Sequence, residues 1–491
     1  MSSPPSGPRP DSPGSSRPAA AARVRQGGFR SRGPLVAASA TATLPAVAPL
    51  AAPAPANVAA RAVPRNPWID ALASNPARRL AFGAFLLLLF LKFSLLHEYI
   101  AYKFGDPYLI LIATLISVGG TLVSGALGRL SRSRIVQFWV LFGLWVLVAL
   151  PFSSWVGGSL RFAFSTFFRT VFILIFPAAA LSMDLKDLRK VFLAVGFGAM
   201  LSAIIARSFA AVAEGGRTEL EFGTVRNSGD LAAFCTIGLP FMWFVWREVP
   251  NKLVRAAVLV LTASNVYLIL STAARSALIA FLIGFVFVLI WGSGRMKFVM
   301  LLVAGLLAVT FAFLPRAVLA RYSTLWSDQA SPEAREAEGS SQAREAVARR
   351  ALQYTLQRPL FGVGIDTFPD YDAGVTKTQG ARRAQWQETH NGYLQVGVDS
   401  GIPALTFYAA ALIGAWVTAL RIYRRTRQRP EFRFVSTAAF ALTGALLMYL
   451  VFLAFLSQGY AFWAPVFVGL AVALKRCAES DRSLAATLVR P

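Results

Sequence analysis

FVMLLVAGLLAVTFAFLP, residues 298–315, is an uncharged run followed without a break by 75 residues, 316–390, of mixed charge. As a helix, eighteen residues cover about 27 Å, close to the thickness of a bilayer's hydrocarbon. The polar segment behind it carries ten basic and nine acidic residues and ends in Thr389-His390-Asn391-Gly392-Tyr393-Leu394. A second long apolar stretch starts at 391. One apolar run, one sizeable polar segment and another apolar run imply a membrane protein with a water-exposed loop, and the rest of the chain fits that frame.

Working outward, apolar stretches of spanning length recur. Twelve are expected: 80–97, 107–127, 135–151, 160–182, 191–213, 231–247, 254–271, 276–292, 298–315, 391–420, 435–456 and 459–474. Hydrophobic residues make up 56% of the 491 and charged ones 15%, with mean hydropathy +0.54. Soluble domains carry about 25% charged residues. No barrel-type alternation is present, so helices must satisfy the backbone, and the fold class is an all-α polytopic membrane protein. Residues 68–315 hold the first nine spans, 316–390 one large helical loop between the ninth and tenth, and 391–474 the last three. Residues 475–491 form a tail. Residues 1–67 hold 13 of the 27 prolines, eight arginines and one acid, a composition that cannot bury a core and predicts a disordered tail.

The formal charge of +25 does not signal nucleic acid. With the N-terminus inside, five inner loops hold 17 Lys/Arg and five short outer loops hold four, a positive-inside pattern. Both termini are then cytoplasmic and the 316–390 loop is outside. Cations that break this trend need another reason. Arg161 and Arg169 lie in the fourth span, and Arg207 lies near the outer end of the fifth. Arg217 and Arg226 follow in the next outer loop, and Arg275 opens the eighth span in Ser271-Thr272-Ala273-Ala274-Arg275. All are arginine, suited to bidentate phosphate recognition, and as a set they point to an anion site on the outer face. Ser264-Asn265 in the seventh span predicts an interhelical hydrogen bond. Lys92 is expected to snorkel outward and His97 to sit at the interface. Cys235 and Cys477 offer neither a disulfide framework nor metal spacing.

Within the loop, Ser340-Ser341 can cap a helix whose Ala348, Leu352 and Leu356 recur at helical spacing. Glu345 can pair with Arg349, and the helix should stop before Pro359. The acidic stretch 333–338 reads as a solvated linker. Leu360-Phe361-Gly362-Val363-Gly364 reads as a tight glycine turn.

From about Arg217 to Leu405 the chain resembles the O-antigen ligase and polymerase superfamily of bacterial membrane glycosyltransferases. The resemblance rests on ordered pieces: Gly223-Thr224-Val225 ahead of a span, a Ser-x-x-Arg-like element ending at Arg275, and Arg344 fifteen residues before the Pro359 glycine turn. The last piece is His390, Asn391 and Leu394 with Asp399, Gly401, Ile402 and Pro403. The chain departs from the family pattern at Ser228-Gly229 and Ala273-Ala274, and carries Asp366 as the acid near the glycine turn.

The resemblance implies transfer at the periplasmic face of the inner membrane. A glycan passes from undecaprenyl diphosphate to a lipid or saccharide acceptor hydroxyl, with inversion and without metal or cofactor. His390 would be catalytic. Arg275 and Arg344 would bind the diphosphate, with Arg217 supporting and Arg169 and Arg226 joining the substrate site. Asn391, Gly362, Gly364, Asp366 and Asp399 would support them. The partners implied are the donor, the acceptor and membrane lipids; oligomeric state is open. Ligase, repeat-unit polymerase and protein O-oligosaccharyltransferase would share this site. A secondary transporter would show repeated halves, which are not seen. A scaffold for polysaccharide export would not need His390 or Arg344.

Overall fold

Helices make up 81% of the described backbone, because amide groups in hydrocarbon must bond within their own segment. The computed structural model describes residues 67–130, 132–213, 216–323, 332–378, 387–481 and 484–485. The tail assigned to 1–67 lies outside the described residues except for Pro67, which opens the helix Pro67–Ser74.

A helix overlies each of the twelve expected apolar stretches. Seven of the described helices are long and apolar enough to cross a membrane. The pair Pro76–Ser94 and Leu96–Phe104, bent by 76°, makes an eighth if it is taken as one span. Leu109–Val123, Arg275–Trp291 and Met296–Ala312 are apolar but shorter, and Trp463–Ser480 overlies the 459–474 stretch. The chain is thus an all-α polytopic membrane protein. One departure is a two-stranded antiparallel hairpin, Ala210–Val212 with Thr218–Leu220, where the 191–213 stretch was expected to be helical throughout. The helix ends at Phe209 and the chain turns back on itself, with the Ala213 N–H donating to the Arg217 carbonyl at 2.8 Å.

The core lies around Trp463–Ser480, whose residues 463–474 are buried on every side, as an all-round apolar helix requires. Arg433–Leu453, Ser228–Glu248 and Gly392–Thr426 pack in the same core. Two polar pairs tie helices together inside it. Asn265 Nδ2 donates to the Cys235 carbonyl at 3.2 Å, the interhelical bond its position predicts. Tyr408 and Tyr449 share a hydroxyl hydrogen bond of 3.1 Å.

The fourth span is wound unusually. Between α-helical ends it is a π-helix over Ala163–Val171, then a 3₁₀ turn over Phe172–Leu174. Extended π winding is rare and concentrates at functional sites.

The polar loop is more ordered than its sequence suggests. Its main helix runs Pro332–Gln357, so the acidic stretch 333–338 is helical and Ser340-Ser341 lies inside the helix rather than capping it. It does stop before Pro359, and Arg349 pairs with Glu345 at 2.5 Å. Its buried face is Val347, Ala351 and Tyr354, packed with Val363, Phe368 and Val398, whereas Leu352 and Leu356 are 49% and 63% exposed. Arg350 grips Asp372 of the Phe368–Thr378 helix through two bonds of 2.7 and 2.8 Å.

The glycine turn docks on a break in the Gly392–Thr426 helix. Gly401 takes φ +86° and Pro403 has no N–H to give. The Ile402 N–H donates to the Pro359 carbonyl at 2.7 Å instead of to its own helix. The carbonyls of Val398 and Asp399 are therefore left open, and they accept the N–H groups of Val363 and Gly364 at 2.7 and 2.9 Å. A Cβ at Gly401 would run into the Leu360 carbonyl, and one at Gly362 into that of Val398. Gly401→Ala should therefore lower the melting temperature by several degrees. Left-handed backbone costs a non-glycine residue about 1–2 kcal/mol before the clash is counted. Thermal unfolding in detergent checks this, and an unchanged midpoint would mean the break is not held by this contact.

Candidate active site

Four elements place the expected residues. His390 sits between Thr389 and Asn391 just ahead of Gly392–Thr426. The Asn391 side chain caps that helix, accepting the N–H groups of Tyr393 and Leu394 at 3.0 Å each. Asn391 Nδ2 also reaches the Ala454 carbonyl at 3.2 Å, and the His390 N–H donates to Ser457 Oγ at 2.8 Å. The histidine backbone is thus tied to the 454–462 connection between the last two long helices. It is held at φ +48°, a left-handed conformation that such ties must enforce.

Arg275 opens its helix after Ala273, which is also left-handed at φ +51°. The turn is braced from inside: Thr272 Oγ1 donates to the Ile269 carbonyl at 2.6 Å, and Tyr322 donates to that of Leu270 at 2.9 Å. Arg344 is on the outer face of the Pro332–Gln357 helix, two turns from the Arg350–Asp372 clamp. Arg217 stands in the turn of the β-hairpin, just ahead of Thr218–Leu220. The loop beyond the hairpin is fixed by Glu98, whose carboxylate accepts the Thr224 N–H and hydroxyl at 3.1 and 2.8 Å.

These elements enclose a cavity of about 920 Å³, lined by Arg217, Arg275, Arg344, Asp366, His390 and Asn391 among others. That is the size of a pocket for a substantial ligand. Of the five described non-glycine residues with positive φ, Ala273, Asp366 and His390 line it. Backbone strain of this kind clusters at functional sites, which makes this cavity the candidate site.

The electrostatics are set by burial and by these cations. Burial, and then the Arg344 guanidinium, hold the His390 imidazole below its ordinary pKa, so the ring is neutral and basic at pH 7. Asp366 is pushed up to about 6, first by desolvation and then by Glu388 and Asp370. The cavity thus presents arginines for an anion and two groups able to take a proton near neutral pH. Among the described residues, no group of three or more His, Cys, Asp and Glu could hold a metal ion.

Other expected residues lie elsewhere. Gly362 and Gly364 form the docked turn behind the cavity. Asp399 is buried behind it, and its Oδ2 accepts the Asp366 N–H at 3.1 Å, so it orients the cavity wall rather than lining it. Arg169 and Arg226 do not join the other arginines. They line a neighbouring cavity of about 390 Å³. Arg207 lies over the Tyr267 ring.

The sequence reading also passed over residues that the cavity includes. Lys92, read as snorkelling, lines the cavity with its ammonium 5.5 Å from the centre of the Phe462 ring. Glu98, Asp230 and Gln458 line it too, with Gln458 Nε2 donating to Asp230 at 2.7 Å. A lysine inside an apolar run was the available signal for Lys92, since such charges usually face a cavity.

Residues 257–409 match the family model for O-antigen ligase. The match contains Arg275, Arg344, Asp366 and His390 and begins after Arg217. Over that stretch, about a third of its length, the chain is similar to the O-antigen ligase family. No curated protein matches the chain.

Proposed function

We propose that this chain is an inner-membrane glycosyltransferase of the O-antigen ligase type. It moves a glycan from undecaprenyl diphosphate to a hydroxyl on a lipid or saccharide acceptor. The observation that carries the reading is the convergence of Arg217, Arg275 and Arg344 on one cavity with a neutral His390. Twelve spans with both termini cytoplasmic put this cavity at the periplasmic face, under the 316–390 loop, with 1–67 and 475–491 as tails. The acceptor oxygen attacks the anomeric carbon as the bond to the diphosphate oxygen breaks, and the configuration inverts. The departing diphosphate takes the bonding electron pair, and its growing charge meets the arginines. His390 takes the acceptor's proton on a ring nitrogen. No divalent ion is needed in this scheme, so EDTA should leave the rate unchanged.

The test uses the full chain in nanodiscs with an undecaprenyl-diphosphate glycan and candidate acceptors. Wild type should release undecaprenyl diphosphate, and product size separates a ligase from a repeat-unit polymerase or a protein O-oligosaccharyltransferase. Arg344→Gln should reduce transfer about tenfold, less than loss of a fully enclosed donor would, because its helix face is open to water. Donor left intact by wild type, with a small solute accumulated in vesicles instead, would favour a secondary transporter.

A further inference from the structure

The second cavity, of about 390 Å³, adjoins the first, and Glu98 and Thr170 line both. The wall between them is the π-wound segment: Thr166 and Val171 face the larger cavity, Arg169 the smaller, and Thr170 both. The smaller cavity also includes Arg226, Tyr102 and Asp106, with Ile110 and Leu111 from Leu109–Val123. That helix turns Ile112 and Leu115 outward, 50% and 62% exposed, so the cavity borders the lipid-facing surface.

Its two arginines are unusual. Both are exposed, and neither side chain makes a hydrogen bond or ion pair with a described residue. The nearby carboxylates are engaged elsewhere, Glu98 with Thr224 and Asp106 with the Tyr108 N–H at 2.8 Å. Arg169 belongs to a segment apolar enough to span a membrane, where a charge is costly and usually functional. Two guanidinium groups held at one lipid-facing opening suit a phosphate carried on a lipid.

We infer that this cavity is a second phosphate station, where the phosphate of a lipid-borne substrate docks between the bilayer and the larger cavity. The identity of that lipid rests on the transferase reading; the anion site does not. Undecaprenyl phosphate is the probe, bound to the full chain in phosphatidylcholine nanodiscs. In an R275Q/R344Q background the larger cavity is weakened, and saturable binding should persist. Adding R169Q and R226Q should weaken it about tenfold or more, and lysines at both positions should restore part of it. Binding that is unchanged by the added pair overturns the station.

In the otherwise wild-type chain, R169Q/R226Q should raise KM with kcat altered less than about threefold, the signature of lost uniform binding. The lipid substrate whose KM rises, donor or acceptor, is the one that docks there. If neither KM moves, the cavity is not on the substrate's path. Station-dependent binding in a chain that transfers nothing would remove the transferase reading and leave the station standing.

Discussion

His390→Ala should lower kcat by about 10²–10⁴-fold, the usual contribution of a positioned general base. The backbone at this position is left-handed, so His390→Asn is the better matched variant, since asparagine tolerates that conformation and cannot serve as the base. Both variants should keep the donor's affinity, because the arginines remain. A pH profile adds a readout that a structural role would not move. Burial and Arg344 hold the imidazole below its ordinary value of about 6.5, so transfer should stay level down to that pH and fall below it as the ring gains a proton. Removing the Arg344 charge lets the pKa rise, so Arg344→Gln should move this acid limb to higher pH. Asp366, titrating at about 6, is the competing base. Asp366→Asn should cost far less than His390→Asn and keep the acid limb. The opposite ranking would transfer the proton role to Asp366.

Arg275→Gln should lower kcat/KM by about 10²–10³-fold, the loss seen when one donor to a developing negative charge is removed. Arg275 merits the larger expectation among the arginines for geometric reasons. It stands at the start of Arg275–Trp291, where backbone N–H groups add to its charge, and its turn is braced by Thr272 and Tyr322. Arg275→Lys keeps the charge but loses the planar fork, so it should recover only part of the activity. Affinity for undecaprenyl diphosphate should fall in the same order, wild type above lysine above glutamine. An Arg275→Gln protein that folds, binds the diphosphate normally and turns over at the wild-type rate would remove Arg275 from the anion site.

The two kinds of replacement separate the two halves of the reaction. Loss of His390 should spare binding and stop turnover, whereas loss of Arg275 should weaken both. Equal effects of both replacements on binding alone would fit a transporter or a scaffold better than an enzyme.

The sequence alone determined the class of protein and the position of its helices. Transfer of side chains from water to hydrocarbon is nearly additive along a segment, so runs such as 298–315 declare themselves without their neighbours. It also singled out Arg275, a cation that goes against the expected topological trend, while Arg344 and His390 stood out through the resemblance to a known family. Only the tertiary structure decided which of these residues meet. Arg217, Arg275, Arg344 and His390 line one cavity although their positions span more than 170 residues, while Arg169 and Arg226 line another. No local periodicity encodes that partition. Lys92 was misread for the same reason: a lysine in an apolar run looks identical whether it snorkels to the interface or lines a cavity between helices. The glycine turn was legible as a turn, but its partner was not. Val398 and Asp399 can accept its N–H groups because Gly401 and Pro403 break the helix beyond them, and that pairing joins segments far apart in the chain.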